Sequence, residues 1–120
     1  MGNDTGAIKY YDKALQIHPN DTGTLTKKGF SLNRLGRFEE GLKFNEKALE
    51  IDPNNPYAAN SKGNSLNGLG RFEEAIKYYD KAIAMIPKYP HLAIALSNKG
   101  SCLYQLGRYG EAIQYFDKAL

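Results

Sequence analysis

The chain has 120 residues, 42% hydrophobic and 24% charged, and its 16 basic and 13 acidic residues leave a formal charge of +3. That length suits one domain with a continuous core, and because the two signs interleave and the longest basic run is Lys27-Lys28, no basic stripe argues for nucleic acid. No apolar stretch nears the roughly 20 residues of a membrane span, and no secretory signal is visible, so a cytoplasmic protein is expected.

Seven helices are predicted in chain order. The first, near 5–18, carries Ala7, Tyr11 and Ala14 at helical spacing and stops at Pro19, which cannot continue a helix. The second, near 22–35, ends at Leu35-Gly36, a glycine suited to the left-handed residue that closes a helix. The third, near 38–51, opens on Phe38-Glu39-Glu40, whose carboxylates favour a helix N-terminus, and closes at Ile51-Asp52-Pro53. The same pair then recurs: 56–69 ends at Leu69-Gly70, and 72–86 opens on Phe72-Glu73-Glu74 and closes at Pro87. It recurs again as 91–106, ending at Leu106-Gly107, and 109–120. In 72–86 the residues Phe72, Ala75, Ile76, Tyr79, Ala82 and Ile83 lie on one face, large alternating with small, as close helix contact requires.

Gly29, Gly63 and Gly100 head three near-copies of one phrase, 34 and then 37 residues apart. A period near 34 means stacked units rather than one central core. The phrase resembles the tetratricopeptide repeat family over nearly the whole chain. With the closing proline numbered 32 in each unit, the glycines fall at position 8, Leu32, Leu66 and Leu103 at 11, and Ala7, Gly41, Ala75 and Ala112 at 20. Tyr11, Asn45, Tyr79 and Phe116 fall at 24, and Ala14, Ala48, Ala82 and Ala119 at 27. The resemblance implies an all-α solenoid of antiparallel helix pairs, A then B. Residues 1–21 are a partial unit with helix B alone, 22–55 and 56–89 are full units, and 90–120 is a unit with an N-terminal insertion, cut short at its end. Starting and stopping inside the pattern, the chain is expected to be a segment of a longer array.

Three departures stand out. Ala59 is small where the family has a large apolar residue, and Gly41 and Asn45 weaken the packing face of one helix B. Gly41→Ala is therefore expected to stabilise by about 0.5–1 kcal/mol. Residues Lys88 to Leu92 carry a three-residue insertion, expected to lengthen the following helix by about one turn.

The resemblance also places function on the concave side, lined by helices A. The groove positions are Gly23, Thr26, Lys27, Phe30, Asn33 and Arg34, then Tyr57, Asn60, Ser61, Asn64, Asn67 and Gly68, then Ile94, Ser97, Asn98, Ser101, Tyr104 and Gln105. Lys27, Phe30, Arg34, Asn60, Asn64, Asn67, Asn98, Ser101, Tyr104 and Gln105 are the candidate ligand contacts. Asn donates and accepts at once, so a ladder of amides suits the backbone of an extended peptide. The carboxylate-clamp subclass of the family is not expected: Thr26, Phe30, Ser61, Ile94 and Asn98 stand where it needs Lys, Asn, Asn, Lys and Arg, and one unit later Asn64 and Asn98 match but Asn60 replaces the lysine and the third unit is missing.

The expectation is a non-catalytic protein- or peptide-binding module with no cofactor. The alternative is a self-assembling array forming a homodimer through Ile113, Phe116 and Leu120. His18 and His91 have no second ligand at metal spacing, and no nucleophile–base pair or phosphate loop is present. Cys102 reads as a buried, inert thiol. Asn20-Asp21-Thr22 and Asn3-Asp4-Thr5 read as turn and cap residues, and the paired glutamates as first-turn dipole partners.

Overall fold

In the computed structural model, which describes residues 2–85 and 91–120, the periodic segments form α1 (Gly2–Ile17), α2 (Thr22–Arg34), α3 (Phe38–Ile51), α4 (Pro56–Gly68), α5 (Phe72–Met85), α6 (His91–Gln105) and α7 (Tyr109–Ala119). The A-to-B turns are near-identical because glycine supplies the same backbone each time: φ is 78° at Gly36, 77° at Gly70 and 79° at Gly107. That left-handed residue lets Arg37 N donate to Leu32 O at 2.9 Å, Arg71 N to Leu66 O at 2.9 Å and Arg108 N to Leu103 O at 2.8 Å, which satisfies the last carbonyls of each helix A. The following helix B starts without a side-chain cap at Arg37 or Arg108. Instead the guanidinium of Arg37 grips Glu40 through two bonds of 2.8 Å, and Arg71–Glu74 and Arg108–Glu111 repeat the grip. The second glutamate of each expected pair thus has a bidentate partner besides the helix dipole.

Each helix packs on the next, and the A helices also touch one another, α2 on α4 and α4 on α6. No such contact joins α3 to α5 or α5 to α7 among the described residues. Axes closer on the A side than on the B side curve the stack, with A inside. The body is elongated, 47 × 27 × 22 Å. Close approach rests on buried small residues: Ala48, Ala58, Ala59, Ala75, Ala82, Ala95 and Ala112 lie between Leu25, Leu32, Leu66, Leu103 and Tyr79. Ala59 leaves no gap, because Leu49, Met85 and Leu92 close over it and Ala82.

Glycine at position 8 has a packing role in each unit that has a helix A. A Cβ on Gly63 would come within 2.6 Å of the Tyr79 ring, and one on Gly100 within 2.8 Å of the Phe116 ring. In the first full unit the side chain received is Asn45, whose Cγ would be 2.7 Å from a Cβ on Gly29. Asn45 is buried together with Asn33, Ser61 and Ser65. Ser65 Oγ donates to Asn33 Oδ1 at 2.7 Å, Asn33 Nδ2 donates to Ser61 O at 3.0 Å, and Asn45 Nδ2 reaches Ser65 Oγ at 3.4 Å. The Asn45 amide oxygen has no hydrogen-bond partner among the described residues.

This network overturns the expected benefit of Gly41→Ala. A Cβ there would overlap Asn33 Oδ1 and lie 3.0 Å from the Gly29 carbonyl oxygen. Gly41 is the space into which Asn33 folds.

Consecutive repeats are also pinned on their flank. Lys62 Nζ lies 3.3 Å from Glu46, donates to Tyr78 Oη at 3.0 Å and sits 4.2 Å from the centre of that ring. Lys99 repeats this with Asp80, Tyr115 Oη at 2.9 Å and the Tyr115 ring at 4.2 Å. Lys28 does so with Asp12 and the Phe44 ring. In each rung the acid belongs to the preceding helix B and the aromatic to the lysine's own unit, so one ammonium bridges two repeats.

Within the described residues the last helix A, α6, spans 15 residues against 13 in α2 and α4, and the expected added turn falls beside residues that are not described. Residues 88–90 of the insertion, like Ile86 and Pro87, lie outside the described residues.

Candidate binding groove

The groove face begins where caps fix the A helices. Asp21 caps α2 by accepting from Gly23 N at 3.1 Å and Thr24 Oγ1 at 3.1 Å. Asn55 caps α4 by accepting from Tyr57 N at 3.0 Å and Ala58 N at 3.2 Å, with Pro56 in the first turn. Both caps set Gly23 and Tyr57 at the same end of the concave face. From there, positions three and four apart run along one side of each helix.

At that end lies a cavity of about 460 Å³. Gly23, Thr26, Lys27 and Phe30 of α2 line it, with Asn55, Tyr57, Asn60 and Ser61 at α4 and His91 and Ile94 of α6. Its walls are apolar: Phe30 is 44% exposed, Tyr57 51% and Ile94 49%. The Tyr57 ring meets the His91 ring edge-on, centres 4.9 Å apart. Of the candidate contacts, Lys27, Phe30 and Asn60 meet in this cavity. Tyr57 and Ile94, expected groove positions but not candidate ligand contacts, line it too, as does His91. The available signal was a large apolar residue at an outward helix-A position in each unit.

The amide row is partly bonded within itself. Asn64 Oδ1 accepts from Tyr79 Oη at 2.7 Å and from Asn98 Nδ2 at 3.1 Å, and Asn98 Nδ2 also approaches Asn60 Oδ1 at 3.4 Å. Burial pushes the Tyr79 phenol well above its usual range, so the hydroxyl stays a donor to Asn64. Asn64 and Asn98 therefore tie α4 to α6, and Asn67 is half-buried. Ser101, Tyr104 and Gln105 are exposed further along, with Tyr104 edge-on to Tyr109 at 5.1 Å. Arg34 is exposed, 3.3 Å from Asp4 and 5.7 Å from the Phe30 ring centre.

Two expected groove positions face elsewhere. Asn33 turns inward to Ser61 and Ser65. Gly68 backs onto the Phe38 ring, which a Cβ at that position would approach to 2.3 Å. Ile113, Phe116 and Leu120 lie off the groove at α7, exposed, although one edge of the Phe116 ring rests on Gly100.

Among the described residues no cluster of three or more His, Cys, Asp or Glu side chains could hold a metal ion, and no helix is long and apolar enough to cross a membrane. Cys102 is buried, and burial pushes its thiol up to about 11.

A comparison with curated proteins gave no match. Among solved structures the chain is similar to a crystal structure of MamA, at 26% identity and a TM-score of 0.82, covering 98% of this chain and 67% of that one. It is also similar to MamA 41-end from Desulfovibrio magneticus RS-1, at 21% identity and a TM-score of 0.83, covering 98% and 65%. A third, MamA MSR-1 C2, has 22% identity and a TM-score of 0.76, covering 98% and 66%. The chain thus spans about two thirds of the length of these structures. Tetratricopeptide repeat profiles match residues 23–55 and 56–120, and with its paired helices and recurring Leu-Gly turns the chain belongs to the tetratricopeptide repeat family.

Proposed function

We propose that the chain is a non-catalytic module that binds a segment of a partner protein in the concave groove of α2, α4 and α6. The observation that carries this is the cavity of about 460 Å³ walled by Phe30, Tyr57 and Ile94. Three helices each leave a large apolar side chain half in solvent at one spot, which ligand burial relieves. The test is a selection of random peptides against the chain. Binders should be lost on Ile94→Arg, which fills the cavity with charge, and kept on Lys77→Glu, an exposed site on α5. Binders indifferent to Ile94→Arg would refute the groove.

A second reading is self-association, favoured by the exposure of Ile113 and Phe116 on α7. Sedimentation over a range of concentrations tests it: a monomer at high concentration removes it, and a dimer dispersed by Ile113→Glu supports it.

A further inference from the structure

We infer that the cavity receives one large apolar side chain of an extended, acidic segment of a partner protein, with a carboxylate near that anchor pairing with Lys27. This rests on the groove reading above and specifies its ligand. Size comes first. A space of about 460 Å³ holds a leucine, phenylalanine or tryptophan side chain with the backbone that carries it.

Charge comes second. The cavity lining contains Lys27 and no carboxylate. The neighbouring Lys28 and its in-phase counterparts Lys62 and Lys99 each have an acid and an aromatic partner. Lys27 has no ion pair among the described residues, and it is exposed at the cavity wall. Asp21 already takes the Gly23 amide at the start of α2, and Asn55 takes the Tyr57 and Ala58 amides at the start of α4. Seven residues on, Arg34 adds a second exposed cation, shared with Asp4. Both groove cations favour an acidic ligand and disfavour a basic one.

Shape decides between an extended segment and a helix. A docked helix needs apolar anchors at about every third or fourth residue over two turns. Here the clustered apolar walls stop at the cavity, and the face beyond it is mostly polar, running through Asn64, Asn98, Ser101 and Gln105 with the exposed Tyr104 ring among them. No hydrogen bond among the described residues engages Asn60 Nδ2 or Asn98 Oδ1, a donor and an acceptor within one row. Such a row suits peptide N–H and C=O groups rather than a helix, which has used its own.

The experiment is a selection from displayed random peptides of about twelve residues, followed by affinity measurements on the selected sequences. Selected peptides should pair Leu, Phe, Trp or Met with Asp or Glu within a few positions. Lys27→Glu should weaken them about tenfold or more, and changing the peptide acid to Lys should restore binding to that variant. Lys27 is exposed and makes no ion pair among the described residues, so the variant should keep its circular dichroism spectrum and melt. The Tyr57→Ala and Ile94→Ala pair should weaken binding whichever charge the peptide carries. Peptides without an acid, or indifferent to Lys27→Glu, overturn this inference; if Ile94→Arg still abolishes them, the groove itself stands. Peptides indifferent to both substitutions overturn both.

Discussion

Gly41→Ala tests whether the buried polar network governs the first inter-repeat contact. Helix propensity alone favours alanine by about 1 kcal/mol. Against it, the new Cβ would overlap Asn33 Oδ1 and lie 3.0 Å from the Gly29 carbonyl oxygen and 3.1 Å from Asn33 Cγ. Asn33 cannot yield freely. Its oxygen accepts from Ser65 Oγ at 2.7 Å and its nitrogen donates to Ser61 O at 3.0 Å, in a buried site. Turning it away leaves buried groups unpaired at about 1–3 kcal/mol each, and spreading the helices instead costs about 1–3 kcal/mol of overpacking. The net expectation is a loss of about 1–3 kcal/mol after the propensity gain. Urea unfolding followed by helical circular dichroism measures it. Gly6→Ala is the control: it lies in α1 with nothing within 4 Å of an added Cβ, and should gain about 0.5–1 kcal/mol. In an Asn33→Ala background Gly41→Ala should cost less, because only the contact with the Gly29 carbonyl oxygen remains. A Gly41→Ala protein as stable as the parent, or more so, would refute the reasoning.

Further outcomes follow from the same contacts. Ser65→Ala removes the hydroxyl that serves both Asn33 and Asn45, and should cost about 1–3 kcal/mol in the same unfolding assay. Cys102, buried and pushed up to about 11, should react with a thiol reagent near neutral pH only at the rate of unfolding; immediate reaction in native buffer would contradict its burial. Burial also raises the Tyr79 phenol. Both acids are harder to ionise folded than unfolded, so their contribution to stability is complete below their unfolded values, about 8.5 and 10, and is lost as pH climbs past them. Urea midpoints should therefore be level near pH 7–8 and fall above about pH 9; a midpoint that rises there would contradict the sign.

The helix bounds were legible because they are locally encoded. Leu-Gly stops, proline stops and the apolar period all act within a few residues, and ends that fall among the described residues lie within one residue of expectation except at α1, which begins at Gly2, while the expected end at 86 lies outside them. The network of Asn33, Asn45 and Ser65 was not legible, because its parts are individually poor choices. Gly41 and Asn45 read as defects in one helix until Gly29 and Asn33 of α2 and Ser65 of α4 supply the complementary space and bonds. The groove was half legible. Its positions follow from helical period, but Asn64 is engaged by Tyr79, whose hydroxyl reaches it from α5. No pattern along one helix reveals that reach. The apolar end was open to view in Phe30, Tyr57 and Ile94, which only their meeting across three helices turns into a cavity.

The most direct measurement of the central claim places a photo-crosslinking phenylalanine derivative at Tyr57, in the concave cavity, or at Lys77, on exposed α5, and irradiates each with selected peptides. The account predicts adducts at 57 that are competed away by unlabelled peptide, and none at 77. Equal labelling at both sites, or labelling at 77 alone, would contradict it.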